Sequence, residues 1–190
     1  MQEITAAYSV QEHWIEMPMA EYITGYRDFG RVLGYCSECD RYGNCWACPP
    51  YDFDETALPG KYTTISLLAT VITPSEGVTL TPETADRIIR RERQRLDRML
   101  MEMEQASEAA ARAFFAGTCL LCPPEHCTRR EGRPCHHPES IRPSLEALGF
   151  DVARTTSGLF GIDLQWDSPD TPPAYLTLLS ALACSGHSRF

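Results

Sequence analysis

Lysine is nearly missing from this chain. Lys61 is the single one among 17 basic residues, so the cationic side chains are arginines almost throughout. Basic residues are also outnumbered by 26 acidic ones, leaving a net charge of −9. A surface of that sign repels phosphate backbones and anionic headgroups, which argues against nucleic acid or a membrane as the main partner. Long hydrophobic runs are lacking too. The richest, 65–72 and 174–184, fall far short of the ~20 apolar residues of a membrane-spanning helix. The N-terminus has no basic region followed by an apolar stretch, so no secretory leader is expected. The expectation is a cytoplasmic protein whose thiols stay reduced, without a disulfide framework.

Signatures of common enzymes are absent as well. There is no Walker loop, no G-x-G-x-x-G after a strand, no G-x-S-x-G elbow and no H-E-x-x-H helix. Enzyme classes built on those motifs are set aside. A metal ion with an open coordination position can still be catalytic, so an enzyme of another kind stays open. Arg142, Ser144 and Glu146 are candidates for a small polar site, with helix capping and surface charge as the alternative.

What the chain has is cysteine, 9 in 190 residues. Cys36, Cys39, Cys45 and Cys48 form two C-x2-C pairs separated by 5 residues. A tight turn can point both thiolates of such a pair at one ion. The second set is Cys119, Cys122, Cys127 and Cys135, spaced C-x2-C-x4-C-x7-C. Thiolates select zinc, copper(I) or iron–sulfur clusters over magnesium or calcium. A zinc ribbon separates its C-x2-C knuckles by about 15–20 residues, and the gap here is too short for that hairpin. Cys48-Pro49 and Cys122-Pro123 share a Cys-Pro detail with bacterial ferredoxins, without the ferredoxin C-x2-C-x2-C spacing. The favoured cofactor is therefore an iron–sulfur cluster, 4Fe–4S in type, with zinc as the alternative. The two sets hold two sites or share one; the spacing leaves both open.

Several residues near these sets have plainer readings. His126, His136 and His137 suit hydrogen bonding around the ligands or surface exposure better than ligation. Trp46, Tyr42, Tyr51 and Phe53 would shield a cluster, or form the core beneath the loop. Cys184 has no neighbouring cysteine and reads as a buried structural residue. Residues 125–142 carry four arginines against three acids, enough for a small anion or nucleotide contact.

The elements suggest one domain of α+β class, with a mixed or antiparallel sheet covered by helices. Two short strands are expected at 4–10 and 12–17, then a helix over 21–33 that Gly34 ends. The stretch 63–72 is β-branched and apolar on both faces, which suits a buried central strand. Thr81 and Pro82 open a long helix with apolar residues at helical spacing as far as Phe114, bending near 105–107. Its methionines and alanines read as core, and Glu92 falls on the stripe as its edge or as an arginine's partner. A short helix at 142–149 with Gly149 as its left-handed cap precedes strands at 150–154 and 159–166. A proline-rich loop over 167–173 leads to a final strand at 175–184. The cysteine-rich segments 34–53 and 117–138 would form a metal-binding lobe of this domain.

The runs Cys36-x2-Cys39-x2-Tyr42-Gly43-x2-Trp46-x-Cys48-Pro49-Pro50, Cys119-x2-Cys122-x4-Cys127 and Cys135-x2-Pro138-x4-Pro143-Ser144-x-Glu146-Ala147-x-Gly149 resemble a cysteine-rich family of predicted metal-binding proteins. That family is one of unknown function, found mainly in anaerobic bacteria and archaea, and the resemblance runs from Gly34 to the C-terminus. It implies metal binding through these cysteines in a prokaryotic cytosol and supplies no reaction. The anaerobic setting it implies points towards iron–sulfur chemistry. The functional expectation is electron transfer, or an accessory or sensor role with a redox or accessory protein partner. A zinc-stabilised interaction module is the alternative, and a metalloenzyme of unknown reaction the third option.

Overall fold

The computed structural model describes residues 8–165 and 172–186. In chain order the main elements are β1 (Tyr8–Pro18), α1 (Met19–Tyr26), α2 (Phe29–Ser37), β2 (Thr64–Pro74), α3 (Pro82–Ala106), β3 (Ala111–Phe114), α4 (Val152–Thr155) and β4 (Leu176–Cys184). The strands form one antiparallel sheet in the order β1-β2-β4-β3. With helices packed on it, the fold is α+β.

The double-sided apolar pattern of β2 explains its inner place. Ile65, Leu67 and Ala69 pack on one face with Met19 and Tyr22 of α1 and with Leu145, Leu148 and Phe150. Leu68 and Ile72 pack on the other with Ile88 and Leu96 of α3. Burying each of these aliphatic side chains contributes about 1.5–3 kcal/mol, so an inner strand apolar on both sides stabilises both layers.

Local chemistry sets the boundaries. The Thr81 hydroxyl accepts a bond from the Thr84 amide at 3.2 Å, with Pro82 in the first turn of α3 as expected. Gly149 is left-handed (φ +83°), and a Cβ there would lie 2.7 Å from the Phe29 backbone. Only glycine fits that cap, and it holds the 142–150 segment against α2.

Other expectations are corrected. The segment 12–17 belongs with 8–11 to one continuous β1, because all eleven residues pair in register with β2. The rest of the proposed first strand lies outside the described residues. The helix expected over 21–33 is two helices, broken at Arg27–Asp28, where Asp28 caps α2 through the Arg31 amide at 3.3 Å. Gly34 does not end α2, so Cys36 sits within its last turn. The long helix stops at Ala106, where a bend was expected, and the remainder of its apolar pattern becomes β3, paired with β4. The 142–149 helix is reduced to a 3-10 turn at Glu146–Leu148. The strands expected at 150–154 and 159–166 are absent among the described residues: Phe150 makes a single bridge to Arg27, then α4 and a π-type turn at Thr156–Phe160 follow. Asp151 decides this, since its side chain caps α4 through the Arg154 amide at 2.9 Å. Trp166 and most of the proline-rich loop lie outside the described residues.

Glu92 is a buried partner: it accepts from Tyr8 and Arg95, both at 2.7 Å. No helix among the described residues is long and apolar enough to cross a membrane.

Candidate metal centre

The end of α2 launches the first cysteine segment. Successive tight turns, Cys39 N to Cys36 O at 3.1 Å, Tyr42 N to Cys39 O at 2.9 Å and Cys48 N to Cys45 O at 3.0 Å, keep its backbone hydrogen-bonded outside regular structure. Gly43, left-handed at φ +67°, donates its amide to the Pro49 carbonyl at 2.8 Å and folds the loop onto itself. The Pro49–Pro50 peptide is cis. The second segment starts where Gly117, also left-handed (φ +71°), turns the chain out of β3.

Arg129 ties the two segments together. Its guanidinium donates to the carbonyls of Cys45 at 2.9 Å, Cys48 at 2.6 Å, and Pro50, and it lies over the Trp46 ring at 5.1 Å. Trp46 in turn donates Nε1–H to Thr128 Oγ1 at 3.3 Å and to the Arg133 carbonyl at 3.2 Å. One arginine thus holds three carbonyls of the first segment against the second.

The sulfurs follow these backbones, and their grouping cuts across the sequence order. Cys45 is buried, and Cys48 and Cys119 lie near enough to act on its thiol. The Thr118 hydroxyl sits between, 3.5 Å from Cys45 Sγ and 3.3 Å from Cys48 Sγ. Hydrogen bonds from Cys119 and Cys48, aided by Thr118 and the Ala47 amide, hold the Cys45 thiol far below its ordinary pKa despite burial. The same bonds, followed by burial, push Cys48 and Cys119 up.

Cys45, Cys119, Cys122, Cys127 and Cys135 line one small pocket of about 20 Å³, with His136 and His137 on its wall. Two sulfurs there accept backbone amides, Cys119 from Leu121 at 3.4 Å and Cys135 from His137 at 3.3 Å. Such bonds favour the thiolate form that a metal needs. Cys36 and Cys39 lie apart from that pocket. Cys36 donates to the Glu146 carbonyl at 3.8 Å, and burial, with Glu146 and Cys39 nearby, raises its pKa; Cys39 is exposed. Cys184 is buried with Leu100, Ala113, Phe115 and Leu182, away from both segments.

Among the described residues, no three His, Cys, Asp or Glu side chains are gathered tightly enough to hold a metal ion as they stand. The donor chemistry nonetheless fits a thiophilic metal. Five thiols face one pocket, and one is already favoured as thiolate. The eight cysteines Cys36, Cys39, Cys45, Cys48, Cys119, Cys122, Cys127 and Cys135 are the residues that would hold it, with Cys45, Cys119, Cys122, Cys127 and Cys135 on the pocket itself.

Several residues here were not legible in the sequence. Arg129 was visible only as one of four local arginines, and Thr118 gave no signal. The polar site considered at Arg142, Ser144 and Glu146 does not form. Arg142 is buried in a two-pronged pair with Glu104, at 2.8 and 2.6 Å, and Ser144 Oγ accepts the Ala147 amide at 3.3 Å.

No curated protein and no solved structure matches this chain. A family model does, over residues 29–180, a span that contains all eight cysteines of the two segments. The chain belongs to the family described as predicted metal-binding protein, DUF2284.

Proposed function

We propose that this protein carries an iron–sulfur cluster, 4Fe–4S in type, and serves in electron transfer or as an accessory or sensor protein. The observation that carries the proposal is that Cys45 of the first segment shares one pocket with Cys119, Cys122, Cys127 and Cys135 of the second, more than 70 residues away in sequence. A site assembled across segments, rather than within one C-x2-C turn, gives thiolates several directions of approach to the corners of a cluster. The amide–sulfur bonds at Cys119 and Cys135 are of the kind that tune a cluster's potential. The metal-binding lobe on this reading comprises 34–53 and 117–138, joined by Arg129. An electron-exchange partner would meet it near the exposed Cys39.

Zinc is the second reading, and one observation favours it. The pocket faced by five cysteines is small, suited to one ion rather than a cubane, and His136 and His137 border it.

The deciding experiment is anaerobic purification with iron, acid-labile sulfide and zinc analysis, together with ultraviolet–visible and paramagnetic-resonance spectra. Brown protein with iron and sulfide in equal amounts is the expected result. Colourless protein with stoichiometric zinc refutes the iron–sulfur reading. Under that outcome Cys119→Ala should unfold the lobe, because structural zinc supplies folding free energy.

A further inference from the structure

We propose that the pocket between α3 and the turn after Gly117 binds a small oxyanion, either inorganic phosphate or the carboxylate of a small organic acid. Asp86, Ile89, Arg90 and Arg93 recur at helical spacing and so share one face of α3. Opposite them stand Thr118 and Cys119, and Arg41 closes the pocket from the first cysteine segment. The cavity measures about 130 Å³. That is room for a compact anion and too little for a nucleotide.

The charges in this pocket do not balance. Asp86 is engaged by Arg90 at 3.6 Å. Arg41 makes no side-chain hydrogen bond or ion pair among the described residues, and its guanidinium has no internal task. Arg93 is 8% exposed and donates Nη2–H to the Thr118 carbonyl, but its Nε–H is buried with no acceptor. Asp97 and Glu146 face Arg93 from its other sides, neither within ion-pair distance. Asp97, Glu146 and Cys119 favour the charge on Arg93, yet a buried N–H left unmatched is costly. In a chain of net charge −9, Arg41 without a side-chain partner and Arg93 with an unmatched N–H border one cavity. A planar carboxylate or tetrahedral phosphate matches guanidinium donors and offsets that cost.

Arg41, Cys119 and Cys122 line both this pocket and the cysteine-lined one. An anion held by Arg41 and Arg93 therefore rests beside the candidate metal ligands. The inference does not depend on which metal binds, since every group it uses belongs to the chain.

The test is calorimetric titration of the metal-loaded protein with phosphate, sulfate and acetate at constant ionic strength set with chloride. Saturable binding of phosphate or acetate above the chloride background is expected, and the stronger of the two identifies the source of the oxyanion. Arg41→Gln should weaken it about tenfold, as expected for loss of a charged hydrogen-bond donor, with unchanged melting. Arg41 is the informative position because it supports nothing internally, whereas Arg93→Gln can also loosen the turn at Thr118. Absence of saturable binding, or Arg41→Gln binding as tightly as wild type, overturns the proposal. A variant that alters metal retention but not anion affinity also overturns it, assigning the arginines to balancing thiolate charge.

Discussion

Replacing Arg129 tests how the two cysteine segments are held together before any metal is considered. Its guanidinium makes three hydrogen bonds to the carbonyls of Cys45, Cys48 and Pro50 and covers the Trp46 ring. Each bond to a charged donor is worth about 1.5–3 kcal/mol net. The bonds share one half-exposed side chain and are not additive, so Arg129→Gln should cost about 2–4 kcal/mol. The loss is local, because the sheet and its two apolar layers do not depend on Arg129. Amide exchange reads this directly: protection at Cys48 and Gly43, whose amides bond within the loop, should fall by about 30- to 700-fold. Protection in β2 and β4 should stay unchanged. Arg129→Lys keeps the charge without the planar fork and should restore only part of the protection. Unchanged exchange over 43–48 in Arg129→Gln would refute the reasoning. A uniform loss across the sheet would refute its locality.

Further outcomes follow from the same geometry. Burial, opposed by Arg93, raises Asp97 from 3.8 to about 7. The folded state then binds more protons than the unfolded one between about pH 4 and 7, so this group's contribution to stability falls as pH rises through that window. Asp97→Asn should be more stable than wild type at pH 8, with the difference vanishing near pH 4 in paired urea titrations. Arg142→Ala leaves Glu104 buried without its partner and should cost about 3–5 kcal/mol, while the double replacement Arg142→Met, Glu104→Leu should recover much of it. Gly149→Ala places a Cβ against Phe29 at a left-handed position and should cost about 3 kcal/mol or more in the same assay. Cys184→Ala should leave metal content intact and lower stability by about 1 kcal/mol, since the thiol only fills an apolar cluster. Metal loss in that variant would contradict the structural reading of Cys184.

Elements whose signal is local were the most legible. The Thr81–Pro82 start of α3, the double-faced β2 and the Gly149 cap rest on neighbouring residues alone, and each occurs where expected. Errors cluster where a local pattern allows two answers. Residues 111–114 continue the apolar spacing of α3, yet pairing with β4 makes them a strand. Residues 152–160 contain enough apolar side chains for a strand, but the Asp151 cap turns them helical. At 27–28 the capping side chain of Asp28 outweighs a continuous helical stripe.

The same division runs through the candidate site. Spacing alone identified the eight cysteines and their thiophilic chemistry, because a C-x2-C turn is a local chelate in any fold. Which sulfurs meet was decided by tertiary structure. Cys45 lines a pocket with Cys119, Cys122, Cys127 and Cys135, because Arg129 and Trp46 draw one loop onto the other. Cys36 is held back at the end of α2, against Glu146. The meeting of Arg41 and Arg93 at one cavity likewise arises from packing, since the two lie 52 positions apart and come together only when α3 lies along the second cysteine turn. The sequence by itself determined the donor type and the inner strand, which follow from side-chain chemistry and short-range pattern. The tertiary structure decided the grouping of donors and the charge beside them, which depend on long-range contacts that no local spacing encodes.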